Sequence, residues 1–350
     1  MLKAISVLLC AALNAGAVAA AETPLFSSDE MLKAALSAPL EQAYAQKKLE
    51  KRLYLDGTWS YREGAETLRQ PVKIRTRGNY RREVCSLPPL QLNFRKKELK
   101  GTLLEGQNKI KMVSPCKTGE SYQQLVYLEH LVYELFALFS EHHFRTRLVE
   151  VGYTDSDQPQ EHWSSKNFLI EDSDAMAARS GMKEVEIVSS RRDQMDLQQT
   201  ALVEVFQYMI GNVDYSTLKG PADSDCCHNV KLIAPQGADT GYIPVPYDFD
   251  SAGIINAPYA SVPAQVPVKS VTQRYFTGWC KEERRYREAI ARLSEQREAA
   301  IALFAESALL DKKYSKRAVK YLEKFYDQVE NERKVDRYII GRCRGEVIQG

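Results

Sequence analysis

Between residues 70 and 115 apolar positions recur at every second residue. In "PVKIRTRGNY" Val72, Ile74 and Thr76 fall on one face and Lys73, Arg75 and Arg77 on the other, before Gly78-Asn79 supplies turn chemistry. "PPLQLNF" repeats the alternation with Leu90, Leu92 and Phe94 inward, and "NKIKMV" adds a short strand with Lys109 and Lys111 on one face. The stretch predicts a small antiparallel sheet. The period then lengthens. In "SYQQLVYLEHLVYELFALFS" Tyr122, Leu125, Glu129, Val132, Phe136 and Phe139 share one stripe of a helix. Glu129 is the odd member, because a carboxylate in an apolar stripe is costly to bury unless a cation or hydrogen bonds meet it.

Ahead of the sheet, "SSDEMLKAALSAPLEQAYAQKKLEK" begins at Ser and Asp caps and predicts helix over 27–51, interrupted at Pro39. After the long helix come strands over 145–153 and 166–171 and an amphipathic helix in "DLQQTALVEVFQYMIGN". Two more short strands, "NVKLI" and "YIPVPYD", flank the turn "PQGADTG", and residues 281–345 are helical in pattern. No repeat or low-complexity linker interrupts the chain. The expected architecture is one two-lobed α+β unit. It has a helical segment over 22–65, a small antiparallel β-rich lobe with one long helix over 66–170, a more helical lobe over 171–280 and a closing helical layer over 281–350.

Composition adds a compartment. Lys3 is followed by an apolar run from Ile5 to Leu13 and then by "NAGAVAAAE", the pattern of a secretory signal peptide over residues 1–21 with cleavage near Ala19–Ala21. The mature chain is expected in the periplasm or outside the cell. Cys10 follows Val7-Leu8-Leu9, where lipid attachment calls for a small residue, so no lipid anchor is expected. No later window approaches the ~20 apolar residues of a membrane-spanning helix, so no stable membrane insertion is expected. Without Cys10 the cysteines form an even set, which an oxidising compartment pairs. Cys85 and Cys116 bracket the sheet and are expected to bond. Cys226 and Cys227 are expected to share Cys280 and Cys343, because a bond between neighbours closes a strained ring. A net charge of +2 gives no reason to expect nucleic acid as a partner.

Candidate chemistry follows one order along the chain. Lys109 or Lys111 lies on a strand, Glu129 on the next helix, Asp214 and Asn229 after a later helix, and Asp248 and Asp250 after a hairpin. That is the order of parts in a protein-kinase-like phosphotransferase. Such an enzyme needs a lysine held by a carboxylate to grip phosphates, an aspartate for the acceptor hydroxyl, and oxygen ligands for Mg²⁺. Arg75, Arg77, Arg81 and Arg82 offer further phosphate contacts by charge. Each piece also has a plainer reading: the acidic pair as a turn cap or Ca²⁺ site, the arginines as a solvated strand face. "CCH" lacks the separated ligand pairs of a zinc site.

These residues resemble the spore-coat CotH-like atypical kinases and their exported bacterial relatives. "RTRGNY" with "PPLQLNF", "GNVDYS" with "CCHNVKLI", and above all "YIPVPYDFDSAGIINAPYA" carry the resemblance, which covers roughly residues 70–280. It implies a two-lobed protein-kinase-like fold, ATP with Mg²⁺ or Mn²⁺, and transfer to a protein hydroxyl. On the matching positions Asp248 and Asn229 are metal ligands, Asp250 is a second metal candidate, and Asp214 is the catalytic-loop aspartate. Lys111 and Glu129 match by position, and Glu171 of "NFLIED" sits where a hinge would meet adenine. The sequence departs from the usual pattern in two ways. Asp214 and Asn229 are 15 residues apart, which leaves Asp225 as an alternative acid, and no Gly-x-Gly-x-x-Gly loop precedes the lysine. Two other classes fit the same residues: a non-catalytic kinase-like binding module, and a nucleotidyl transferase.

Overall fold

The computed structural model describes residues 23–221 and 224–349; the expected signal peptide and Cys10 lie outside them. Seven strands form a closed barrel: β1 (Leu32–Ala38), β2 (Leu55–Glu63), β3 (Glu66–Thr76), β4 (Leu90–Phe94), β5 (Lys109–Val113), β6 (Thr146–Asp155) and β7 (His162–Ile170). They follow in the order β1-β2-β3-β4-β5-β7-β6. Every neighbouring pair is antiparallel except β1 and β6, which run parallel from Leu32 opposite Val149 to Ala38 opposite Asp155 and close the ring. Leu36, Trp59, Ile74, Leu92, Ile110 and Val151 fill its interior. Closure leaves no open edge for another chain to pair with.

This corrects the expected two-lobed protein-kinase-like fold with its small antiparallel lobe. The difference begins in the segment read as helix over 27–51. In "LKAALSA" Leu32, Leu36 and Ala38 are buried while Lys33, Ala35 and Ser37 are exposed, which is the two-residue period of a strand. Leu, Ala and Lys favour helix intrinsically, but two flanking strands give β1 a full set of backbone partners, and tertiary pairing outweighs local propensity. Beyond Pro39 the segment is helical over Leu40–Ala45, α1, and in a following 3-10 turn at Gln46–Lys48. β2 also lies in the expected helical segment.

Outside the barrel, α2 (Tyr80–Val84) follows β3, and α3 (Glu120–Ala137) packs on β6 and β7. A second core joins α3 to α5 (Leu197–Ile210), α6 (Glu283–Glu295), α7 (Arg297–Ala305) and α8 (Lys312–Val329). α4 (Ser173–Arg179) leads into a three-stranded sheet of β8 (Lys183–Glu184), β9 (Val230–Ala234) and β10 (Ile243–Pro246), in the order β10-β9-β8. The closing layer is helical as expected through α9 (Glu332–Tyr338). It ends instead in β12 (Arg344–Ile348), paired in parallel with β11 (Trp279–Lys281). Disulfides join Cys85 to Cys116, as expected, and Cys226 to Cys227 and Cys280 to Cys343, which corrects the expected crossing of those four. Three disulfides fit an exported chain. Among the described residues no helix is long and apolar enough to cross a membrane.

Candidate functional site

α5 stops at Gly211, whose φ of +69° ends the helix and where a Cβ would stand 2.0 Å from the Tyr321 hydroxyl of α8. The chain then turns on buried Asn212, whose Oδ1 accepts a hydrogen bond from the Asp214 N–H at 3.0 Å. An antiparallel bridge then joins Ser216 to His228. This is how Asp214 and Asn229 meet despite their separation in sequence. Asn229 Nδ2 donates to the Asp214 carbonyl at 2.7 Å and to its Oδ2 at 3.2 Å, while His228 Nε2 lies 2.7 Å from Oδ1.

β9 and β10 form a hairpin that delivers Tyr247–Asp250 to the same place. Phe249 is buried against Tyr133 and Phe206, with ring centroids 4.8 and 5.8 Å away, and the Asp248 N–H donates to the Tyr133 hydroxyl at 2.8 Å. The phenylalanine is the anchor, and the two carboxylates flank it at the cleft. Asn229 and Asp248 both have positive φ, 52° and 62°. Non-glycine residues are held there only where their surroundings over-determine them, most often at functional sites.

A cavity of about 490 Å³ opens between this hairpin and the turn after β3; Arg77, Asp214, Asn229, Lys231, Asp248 and Asp250 line it, with the Cys226–Cys227 disulfide on one wall. Asp225 lines it too, but Asp214 holds the hydrogen-bonded position. Several expected residues are elsewhere. Glu129 is not the partner of Lys111: Arg81 of α2 reaches it at 3.2 Å, stands 3.6 Å from Asp250, and donates to the Ser114 carbonyl. Lys111 lies outside the cavity lining, its ammonium 4.3 Å from the centre of the Tyr247 ring. Burial, then Arg77 and Lys231, lowers its pKa to about 7. Lys109 is exposed. Glu171 does not line the cavity; it is buried and paired with Arg179 at 3.0 Å. Arg75 stacks over Tyr54, and Arg82 donates to the carbonyls of Gly78, Lys47 and Leu49.

Sequence reasoning missed Arg81 as the anchor of Glu129 and Asp250, the Lys231–Glu184 ion pair and the His228–Asp214 contact. A signal for the first was present. An isolated Glu in an apolar stripe asks for a cation, and the arginine run at 75–82 offered one as readily as the lysine strand.

Carboxylates outnumber their partners at this point. Asp250 is pushed up to about 7 by burial and then by the charge of Asp248, with Arg81 pulling against both. Burial likewise raises Glu129, opposed by Arg81. The Asp248 carboxylate takes no hydrogen bond or ion pair among the described residues, and with its Nδ2 committed to Asp214, Asn229 keeps Oδ1 free. A hard divalent cation fits this set of oxygen donors and the surplus negative charge. Among the described residues no three His, Cys, Asp or Glu side chains form a metal cage by themselves. Mg²⁺ usually takes only one or two protein carboxylates, with phosphate and water completing its shell.

The His228 pKa is raised by its hydrogen bond to Asp214, against partial burial and with help from the same carboxylate's charge. A raised folded-state pKa contributes stability that is complete below the unfolded value of 6.5 and is lost as pH rises through the folded value. Asp214→Asn is therefore expected to lower the His228 pKa in an NMR titration. The stability advantage of the wild type over this variant should be largest below pH 6.5 and fade above it. An unchanged His228 titration would contradict the contact.

No protein-family model matches the chain, and no curated protein or solved structure matches it either.

Proposed function

We propose that this cleft binds a nucleoside triphosphate with Mg²⁺ or Mn²⁺ and transfers its terminal phosphoryl group to a hydroxyl of a protein acceptor. One observation carries the reading. Asn229 and Asp248, both in left-handed backbone, bring free oxygen donors into one cavity with the hydrogen-bonded Asp214 and the cations Arg77 and Lys231. The reading rests on this site and not on a kinase-like fold. The CotH-like resemblance rests on the quoted segments alone.

Asp248 and Asn229, with Asp250 beside them, would hold the metal, which supplies charge neutralisation for the phosphates when bound. Arg77 supplies a planar donor set matched to phosphate oxygens. Asp214 is fixed from two sides by His228 and Asn229. Its carboxylate accepts the hydrogen of the acceptor hydroxyl and receives that proton as the new P–O bond forms and the nucleoside diphosphate leaves. Arg81, on the cavity wall, acts through others: it anchors Asp250 and Glu129. Export by a cleaved signal peptide to the periplasm or beyond belongs to the same proposal, and it requires the donor to be met in transit or in a released pool.

The test is incubation with Mn²⁺, casein as a generic hydroxyl acceptor, and ATP labelled at either the γ or the α phosphate. Label on protein from the γ position alone is the expected result. Label from the α position instead would mean nucleotidyl transfer, and no label from either on casein or on the enzyme itself would overturn the reading.

A further inference from the structure

The cleft is rich in groups for phosphate and poor in groups for a base. The Arg77 guanidinium lines the cavity and takes no hydrogen bond or ion pair among the described residues. Lys231 of β9 lines the same cavity. Its ammonium is ion-paired with Glu184 of β8, which is not part of the cavity lining and so holds the lysine from behind. Lys111 lies outside the lining, and burial, then Arg77 and Lys231, lowers its pKa to about 7. Arg77 and Lys231 offer an anion in the cavity two cationic contacts.

Among the described residues nothing equivalent serves a purine or pyrimidine. In the segment read as a hinge, Asn167 bonds to Tyr153 and to the Val149 carbonyl, Phe168 and Ile170 belong to the second core, and Glu171 pairs with Arg179. None of them lines the cavity. Of the two tyrosines that do, Tyr247 already has the Lys111 ammonium on its ring and Tyr80 is half exposed.

We propose that the cleft recognises the polyphosphate chain of its donor and not the base, with Lys231, held by Glu184, and Arg77 as a two-point clamp. This rests on the nucleotide reading above and widens it: other nucleoside triphosphates and inorganic triphosphate are ligands of the same site as ATP. With inorganic triphosphate as donor the terminal P–O bond breaks and pyrophosphate leaves. The phosphoryl group joins the acceptor oxygen, and the hydroxyl proton passes to Asp214.

Calorimetric titration of the oxidised protein with Mn²⁺ and ATP, GTP, inorganic triphosphate or AMP tests this. The first three are expected to bind within about threefold of one another, and AMP at least about a hundredfold more weakly, since it lacks the chain the clamp holds. Lys231→Met/Glu184→Gln, which removes the pair together so that no lone carboxylate is left, should weaken all three by about tenfold or more. Lys231→Arg should retain binding.

The outcomes separate the two proposals. ATP binding without triphosphate binding overturns base-independent recognition and leaves the proposed function standing. Triphosphate binding without nucleotide binding supports the clamp and removes ATP as donor. No binding by any of them overturns both, and undiminished binding by a folded Lys231→Met/Glu184→Gln variant overturns the clamp.

Discussion

Arg81→Leu is expected to lower the unfolding free energy by about 3–5 kcal/mol, the loss seen when one partner of a buried ion pair is removed. The Arg81 side chain is 8% exposed, and it lies between Glu129 at 3% and Asp250 at 12%. Its guanidinium also satisfies the Ser114 carbonyl, close to the Cys85–Cys116 disulfide. Removing it leaves two buried carboxylates without a counter-ion, and Coulomb repulsion between Asp248 and Asp250 then acts with less opposition. A shift of the urea midpoint with unchanged slope checks the number. Pairing the change with Glu129→Leu should recover much of the loss, because an apolar pair of similar volume carries no desolvation cost. A loss below about 1 kcal/mol would put Arg81 among ordinary surface ion pairs and contradict its place as the anchor of the cleft.

Asp248→Asn is expected to abolish metal-dependent nucleotide binding while leaving the ligand-free protein as stable as the wild type or more so. The two effects have opposite sign for one reason. Asp248 is the second-largest cause, after burial, of the raised Asp250 pKa. A carboxyl whose folded-state pKa lies above its unfolded value of 3.8 binds more protons when folded, so its contribution to stability falls as pH rises from about 4 towards about 7. Asparagine removes that repulsion. It also removes the charge that a divalent cation needs. Wild-type protein at 100 times the dissociation constant of its ligand gains about 2.7 kcal/mol. The variant should gain almost nothing, and its transfer activity should fall by at least about a hundredfold, as for other groups that stabilise charge in a reaction. Lower ligand-free stability at neutral pH together with intact ligand-induced stabilisation would contradict both halves.

Much of the machinery was legible because its signals are local. β3, β4 and β5 show plain alternation, α3 and α5 plain helical spacing, and Asp248-Phe249-Asp250 after a strand announces two polar groups around a core anchor. Barrel closure was not legible. β1 is composed of helix-favouring residues and becomes a strand because β2 pairs with one edge and β6, more than a hundred residues away, lies parallel along the other. The same holds for side-chain partners. Whether Glu129 meets Lys111 or Arg81, and whether a lysine at the cleft is Lys111 or Lys231, depends on which strand faces which helix, and no spacing rule along one chain encodes that. Asp214 and Asn229 stood too far apart for a short catalytic loop. The excursion between them is bridged back at Ser216 and His228, so their separation in sequence says little about their distance in space.

The most direct test of the metal–nucleotide site is the unfolding midpoint of the oxidised protein lacking residues 1–21, measured with Mn²⁺ alone, ATP alone, both together, and in Asp248→Asn. The site described here predicts a rise with both that exceeds the sum of the separate rises, because each ligand completes the other's coordination, and predicts its loss in Asp248→Asn. No rise with both, or an equal rise in Asp248→Asn, would place any nucleotide site elsewhere and contradict the account.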